Sequence, residues 1–100
     1  MSEHRITLAV IKGRVQGVGF RALVQHQAEL RGLQGWVRNR RDGSVEAVFA
    51  GSSEGGKAIL KVCHQGPPGS HVEGLDARDV SEALLAERPG GSGFAIIATV

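Results

Sequence analysis

A glycine-rich segment near the N-terminus has the composition of an anion-binding loop. It runs Gly13-Arg14-Val15-Gln16-Gly17-Val18-Gly19-Phe20-Arg21, after an apolar run and before residues with helical spacing. Because glycine lacks a Cβ, backbone N–H groups in such a loop can come close to a bound anion. The N-terminus of the following helix would point unpaired N–H groups at the same place. Arg21 would add a planar cation that matches phosphate oxygens, so the pattern predicts a phosphate-type site.

The spacing of these residues also fits a second interpretation. The segment lacks the Gly-Lys-Ser/Thr sequence of a Walker A loop, and its glycines at 13, 17 and 19 do not form a Rossmann fingerprint. A plain strand-to-helix turn, with Phe20 in the core and Arg21 in solvent, has the same spacing. Spacing alone therefore leaves both an anion site and a structural turn open.

Hydrophobic patterning predicts the two elements that would hold this loop. Before it, Ile6, Leu8 and Val10 alternate with polar or small residues, which is typical of a half-buried strand. After it, residues 20–31 carry apolar side chains at helical spacing. The loop is thus expected between a strand and the N-terminus of a helix.

Turn signals and alternation divide the rest of the chain into further elements. The clearest signals are Asp42-Gly43, which predicts a hairpin turn, and Gly66-Pro67-Pro68-Gly69, which ends a helix. The predicted elements are, in order, a strand at 35–39, a strand at 45–51, a helix capped by Ser52 or Ser53, an edge strand at 72–80, a long loop at 81–93 in which residues 82–86 could form one helical turn, and a last strand with Phe94, Ile96 and Ala98 alternating.

This order of elements predicts an α+β fold. It is βαββαβ with an extra strand, typical of a ferredoxin-like sandwich in which two helices cover one face of an antiparallel sheet of four to five strands. A right-handed helical crossover joins the first and second strands, so they run parallel and end at the same edge. We therefore expect Arg21 and Asn39 to be neighbours, although they are distant in sequence.

Composition narrows the class of protein. A chain of 100 residues suits one domain, spanning 1–100, and a net charge of +2 fits a small anionic ligand better than a nucleic acid. Cys63 is the single cysteine, so no internal disulfide forms, and the four histidines lack metal-ligand spacing. No apolar run reaches transmembrane length, and residues 1–5 lack signal-peptide features. We expect a cytoplasmic protein without membrane, metal or cofactor.

Several motifs in the right order make the chain resemble the acylphosphatases. They are the loop 13–21, Gly32-Leu33, Gly35-Trp36-Val37-Arg38-Asn39, Asp42-Gly43-Ser44-Val45, Gly51 and Gly66-Pro67-Pro68. The match is close over about residues 5–51 and moderate to about residue 75. The resemblance implies hydrolysis of acyl phosphates to a carboxylate and inorganic phosphate without a metal. It also implies that Arg21 and Asn39 are the catalytic residues.

The chemistry of an acyl phosphate is consistent with this assignment. Its leaving group is a carboxylate, whose acid has a pKa of about 4, so little general acid catalysis is needed. What remains is to hold the phosphoryl group, stabilise its charge and place a water in line. Arg21 and the amides of loop 14–20 could bind the phosphoryl group or inorganic phosphate, and Asn39 could orient the water. The predicted phosphate-binding residues are Val15, Gln16, Gly17, Val18, Gly19 and Phe20.

Two alternatives to an enzyme are open at this point. The loop could hold a phosphate- or carbamoyl-phosphate-like group without turning it over. RNA-recognition domains share the βαββαβ order, but they stack bases on exposed aromatic side chains. No predicted strand carries such a pair, so we expect no nucleic acid partner. A small domain with edge strands can be monomeric or pair through an edge, and we expect a monomer.

Overall fold

Strands and helices follow each other in the predicted order. The computed structural model describes residues 3–87, 90 and 93–100. Its elements are β1 (His4–Arg14), α1 (Phe20–Leu30), β2 (Gln34–Asn39), β3 (Val45–Ser52), α2 (Ser53–Gln65), β4 (His71–Asp79), a 3₁₀ helix (Glu82–Glu87) and β5 (Phe94–Ile96). The α+β class is confirmed. Residues 88, 89, 91 and 92 of the predicted loop lie outside the described residues.

The five strands form one sheet in the order β4-β1-β3-β2-β5. β1 pairs antiparallel with β3 and β4, and β2 pairs antiparallel with β3. β5 pairs parallel with β2, so the sheet is mixed, and the prediction of an antiparallel sheet is wrong at this edge only. The reason is that the chain crosses the sheet at the end where β4 stops. β5 therefore starts from that end and runs in the same direction as β2.

The main core lies between the sheet and the two helices, which pack on the same face. Alternate strand residues point into this core together with one face of each helix. Its buried members are Ala9, Ile11, Val15, Phe20, Val24, Ala28, Leu33, Val37, Val45, Ala47, Phe49, Ile59, Cys63 and Phe94. Within the described part of the chain, neither helix is long and apolar enough to span a membrane.

A second, smaller core covers the other face of the sheet near β2. Ile6, Leu8 and Trp36 are buried there, and the 3₁₀ helix packs on them. The Trp36 indole N–H donates a hydrogen bond of 2.6 Å to the carbonyl of Leu84 in that 3₁₀ helix. This part of the predicted loop therefore has a structural role as a cover for the sheet.

The second core corrects the predicted face of β1. The helices contact Ala9 and Ile11, which are fully buried, and not the face of Ile6 and Leu8. Ile6 and Leu8 are buried as well, but on the opposite face of the sheet, which the 3₁₀ helix covers. β1 is thus covered on both faces, and a half-buried strand is the wrong description.

β5 is shorter than its alternating pattern indicates. It ends at Ile96, and Ala98 is exposed and lies outside the strand. Phe94 is buried and stacks on Phe49 with 5.6 Å between ring centroids. Ile97 turns toward the second core, because its N–H continues the pairing by donating to the carbonyl of Val37 at 3.0 Å.

Candidate active site

Left-handed glycines shape the loop between β1 and α1. Gly17 and Gly19 have φ values of 74° and 83°, a region in which other residues are strained. A Cβ at either glycine would contact nothing within 4 Å, so these positions need glycine for their conformation and not for space. Gly19 directly precedes α1, which has no side-chain cap and no acidic residue in its first turn. Among the described residues, the N–H groups from Gln16 to Phe20 donate no hydrogen bond.

The side chains of the same loop serve to anchor it. Val15 and Phe20 are buried in the main core, and Val18 packs against it. The Gln16 amide points to the β2–β3 turn and donates hydrogen bonds to the carbonyls of Arg40 (2.7 Å) and Ser44 (2.9 Å). An anion at this loop would therefore meet backbone N–H groups rather than these side chains.

The β2–β3 turn is itself fixed by a buried serine. The hydroxyl and backbone N–H of Ser44 both donate to the Asp42 carboxylate, at 2.6 and 2.9 Å. These hydrogen bonds hold the pKa of Asp42 below its usual value, the hydroxyl contributing most. Because Gln16 binds the same turn, the loop and the residues after Asn39 are tied together.

Arg21 and Asn39 line one pocket, which confirms that the fold makes them neighbours. The pocket has a volume of about 240 Å³. Its other lining residues are Val15, Gly17, Gly19, Phe20, Ala22 and Ile96. Of the predicted phosphate-binding residues, Gln16 and Val18 do not line it. The chemically active side chains facing the pocket are thus a guanidinium and an amide.

Both of these polar groups lack protein partners. The Oδ1 atom of Asn39 is buried and has no hydrogen bond in the described part of the chain. The Arg21 side chain is half-buried, and its guanidinium forms no ion pair or hydrogen bond with residues 3–87, 90 or 93–100. A buried polar atom without a partner costs about 1–3 kcal/mol. That cost applies to the buried Asn39 Oδ1, and the partly exposed Arg21 guanidinium lines the same pocket, so the pocket is a place where a polar ligand could complete the hydrogen bonding.

The neighbouring arginines of the hairpin do not share this pocket. Arg38 points to the opposite face of the sheet, where its Nη2 lies 2.8 Å from Glu46 Oε1 and its guanidinium stacks 4.5 Å from the Trp36 ring centre. With these two partners the Arg38 side chain is only 16% exposed. Arg40 lies near Asp42 at 3.7 Å. Arg21 is the one cation among the described residues that line the pocket.

The sequence prediction misses two residues of the pocket, Ala22 and Ile96. Ala22 directly follows Arg21 in α1, so its place at the pocket could have been predicted from that of Arg21. Ile96 belongs to the predicted last strand, but its approach to the pocket depends on the pairing of β5 with β2. No local motif encodes that pairing. Within the described ranges, no group of three or more His, Cys, Asp or Glu side chains could hold a metal.

Comparison with known proteins assigns the chain to a family. A family model described as acylphosphatase matches residues 8–96. An acylphosphatase of Azorhizobium caulinodans is 52% identical over 91 residues, covering 91% of this chain and 92% of that protein. An acylphosphatase of Bradyrhizobium diazoefficiens is 46% identical over 95 residues, covering 95% and 96% of the two chains. The crystal structure of acylphosphatase from Bacillus subtilis has a TM-score of 0.81 and 33% identity, covering 95% of this chain and 99% of that one. This chain belongs to the acylphosphatase family, whose members are hydrolases acting on acid anhydrides.

Proposed function

We propose that this protein hydrolyses acyl phosphates to a carboxylate and inorganic phosphate in the pocket between α1 and β2. The observation that carries the proposal is the pairing of two unpartnered groups, the Arg21 guanidinium and Asn39 Oδ1, at the end of a loop with unused N–H groups. The acylphosphatase names of relatives over nearly the whole chain support the same activity.

The phosphoryl group binds at the loop. Its oxygens accept hydrogen bonds from the unused N–H groups of Gln16 to Phe20, at the N-terminus of α1, where the helix dipole favours an anion. The Arg21 guanidinium supplies a fixed positive charge next to them. Donors that are already in place when charge shifts onto these oxygens lower the barrier without reorganisation.

Asn39 orients the attacking water. Its buried Oδ1 accepts a hydrogen bond from the water, and its amide N–H can donate to a phosphoryl oxygen. The water oxygen then forms a bond to phosphorus as the bond from phosphorus to the acyl oxygen breaks. The electron pair leaves with the carboxylate.

The proton of the water passes to an oxygen of the phosphoryl group. An amide is not a base near neutral pH, and no carboxylate, histidine or cysteine is among the described residues that line the pocket. The leaving carboxylate needs no protonation, because its acid has a pKa of about 4. We therefore expect a pH–rate profile without an essential enzyme base, since the described lining offers no such group.

Hydrolysis of benzoyl phosphate in the presence of EDTA tests the proposal. Arg21→Ala and Asn39→Ala are each expected to lower kcat by on the order of a hundredfold or more, as expected for the loss of a transition-state donor. Arg41→Ala is the matched control, because it removes an exposed arginine outside the pocket. It should retain nearly the wild-type rate.

Three results would contradict the proposal. One is a folded Arg21→Ala or Asn39→Ala protein that keeps a rate within a few fold of wild type. A second is an essential enzyme base in the pH–rate profile. A third is a wild-type protein that binds inorganic phosphate without hydrolysing any acyl phosphate, which would identify a binding module.

A further inference from the structure

One side of the pocket is apolar and open to solvent. Ile96 is 40% exposed, and it is one of three large hydrophobic side chains exposed in the described part of the chain, with Leu30 and Val100. Ile96 alone among these three lines the pocket. Ala22, which is also exposed, lines the same pocket from α1. We call Ala22 and Ile96 the apolar wall.

The apolar wall lies on the same side of the sheet as Asn39. Ile96 pairs with Val37 in the parallel β2–β5 ladder, so both point to the helix side. Asn39 is two residues beyond Val37 and shares that side, because strand residues alternate between faces. Ala22 follows Arg21 by one residue. A group bound by Arg21 and Asn39 therefore borders the apolar wall.

The wall is held in place on both sides. Gln25 of α1 donates a hydrogen bond of 3.3 Å to the carbonyl of Phe94, which joins α1 to β5. Phe94 is buried and stacked on Phe49, so the start of β5 is anchored in the main core. The distance between Arg21 and the wall is thus set by packed elements.

We propose that the apolar wall binds the acyl group and selects apolar acyl phosphates, aromatic or branched, over small or charged ones. The inference rests on the proposed function above. With the phosphoryl group on the loop and Arg21, the acyl group must extend away from them across the remaining lining. An uncharged acyl group buries apolar surface against Ile96, which is favourable. A second carboxylate would lose water there and find no cation in the described lining, because Arg21 already binds the phosphoryl group.

The size of the effect follows from the groups removed. Each buried methylene contributes about 0.8 kcal/mol, which is roughly a fourfold change in affinity. Ile96→Ala removes three carbons from a side chain that is only partly covered. We expect kcat/KM for benzoyl phosphate to fall about five- to tenfold, and kcat/KM for acetyl phosphate to change by less than about twofold.

The test compares benzoyl, acetyl and succinyl phosphate as substrates of wild type, Ile96→Ala and Ile96→Lys. Ile96→Lys should lower the rate for benzoyl phosphate and raise kcat/KM for succinyl phosphate, whose second carboxylate gains a cation. This gain cannot come from partial unfolding. Leu30→Ala is the matched control, because Leu30 is 66% exposed and lies outside the pocket.

Acetyl phosphate separates the two proposals. If both Ile96 variants hydrolyse acetyl phosphate normally and keep the wild-type preference among the three substrates, the apolar wall is overturned and the hydrolase stands. If wild type hydrolyses none of the three, the proposed function fails, and the inference that rests on it is overturned too.

Discussion

Replacing Gln16 with methionine tests how the loop is held to the β2–β3 turn. Methionine has a similar length and flexibility but no N–H group, so Gln16→Met removes the bonds to the carbonyls of Arg40 and Ser44 without opening a large cavity. The loop would then keep its apolar anchors and lose its polar link to the turn that follows Asn39.

The cost in stability can be worked from the hydrogen bonds. A typical hydrogen bond contributes about 1 kcal/mol net. Neither carbonyl is left without a partner, because Ser44 also accepts from the Arg40 N–H at 2.9 Å and Arg40 accepts from the Gly43 N–H at 3.0 Å. The full penalty for unpaired groups is therefore avoided. We expect a loss of about 1–2 kcal/mol, or roughly 5–15 °C in Tm for a domain of this size.

The same substitution should slow the reaction in molecules that remain folded. A misplacement of about 1 Å in an active site can cost on the order of a hundredfold in rate. Because the core anchors persist, we expect a smaller shift of the loop and a loss in kcat of about tenfold. Calorimetry gives Tm, and benzoyl phosphate hydrolysis well below Tm gives kcat.

Gln65→Met provides the control for this prediction. Gln65 is exposed at the end of α2 and lies far along the chain from the loop. Its replacement should change neither Tm nor kcat. An unchanged Tm and kcat for Gln16→Met would refute the reasoning, because the side-chain bonds would then neither stabilise the fold nor place the loop.

Three further predictions concern a glycine of β2, the reactivity of Cys63 and the pH dependence of stability. Gly35→Ala should lower the free energy of unfolding by more than about 3 kcal/mol, because Gly35 has φ 139° and a Cβ there would collide with the carbonyl of Val48. At Gly74 a Cβ would have no neighbour within 4 Å, so Gly74→Ala should change the free energy of unfolding by less than about 0.5 kcal/mol, as measured in urea titrations. Equal losses of stability for Gly35→Ala and Gly74→Ala would contradict this argument. Burial raises the pKa of the Cys63 thiol to about 12. The thiol should therefore react slowly with a disulfide reagent at pH 8 in the native protein and rapidly in urea. A fast reaction in the native protein would contradict the burial of Cys63. Since the folded pKa is the higher one, the contribution of this thiol to stability is present below about pH 9 and is lost as pH rises toward 12, which urea midpoints between pH 8 and 11 would show.

Element boundaries were predictable where local chemistry sets them. Ser52 caps α2 by accepting a hydrogen bond from the Gly55 N–H at 3.0 Å, as its type and position indicate. Gly66 ends that helix with φ 66°. Asp42-Gly43 forms the predicted turn between β2 and β3. At these sites a few adjacent residues determine the backbone, so the sequence is sufficient.

Burial along β1 was not predictable in the same way. An alternating strand is usually interpreted as having one face in solvent. In that interpretation Ala9 lies on the solvent-exposed face, opposite Ile6 and Leu8. In the structure both faces are covered, because the 3₁₀ helix at Glu82–Glu87 packs across the sheet from far along the chain. That contact is tertiary, and no pattern within β1 encodes it.

The residues of the candidate site also fall into a group that local patterns predict and a group that depends on contacts distant in sequence. The meeting of Arg21 and Asn39 follows from the topology of β1, α1 and β2, which local patterns determine. The position of Ile96 depends on β5 crossing to the far edge of the sheet. Sequence reasoning therefore finds the side of the pocket that Arg21 and Asn39 line and misses the side that Ile96 lines.

The position of β3 between β1 and β2 has a consequence for how activity appears and disappears. The loop that ends in Arg21 follows β1, Asn39 ends β2, and these strands have no hydrogen bonds to each other. A β2–β3 hairpin alone lacks the loop, and a β1–α1 unit alone lacks Asn39. Pairing between strands that are distant in sequence is a slow step in folding. During refolding, hydrolysis should therefore return only when the sheet is complete. Partly folded molecules should contribute no activity.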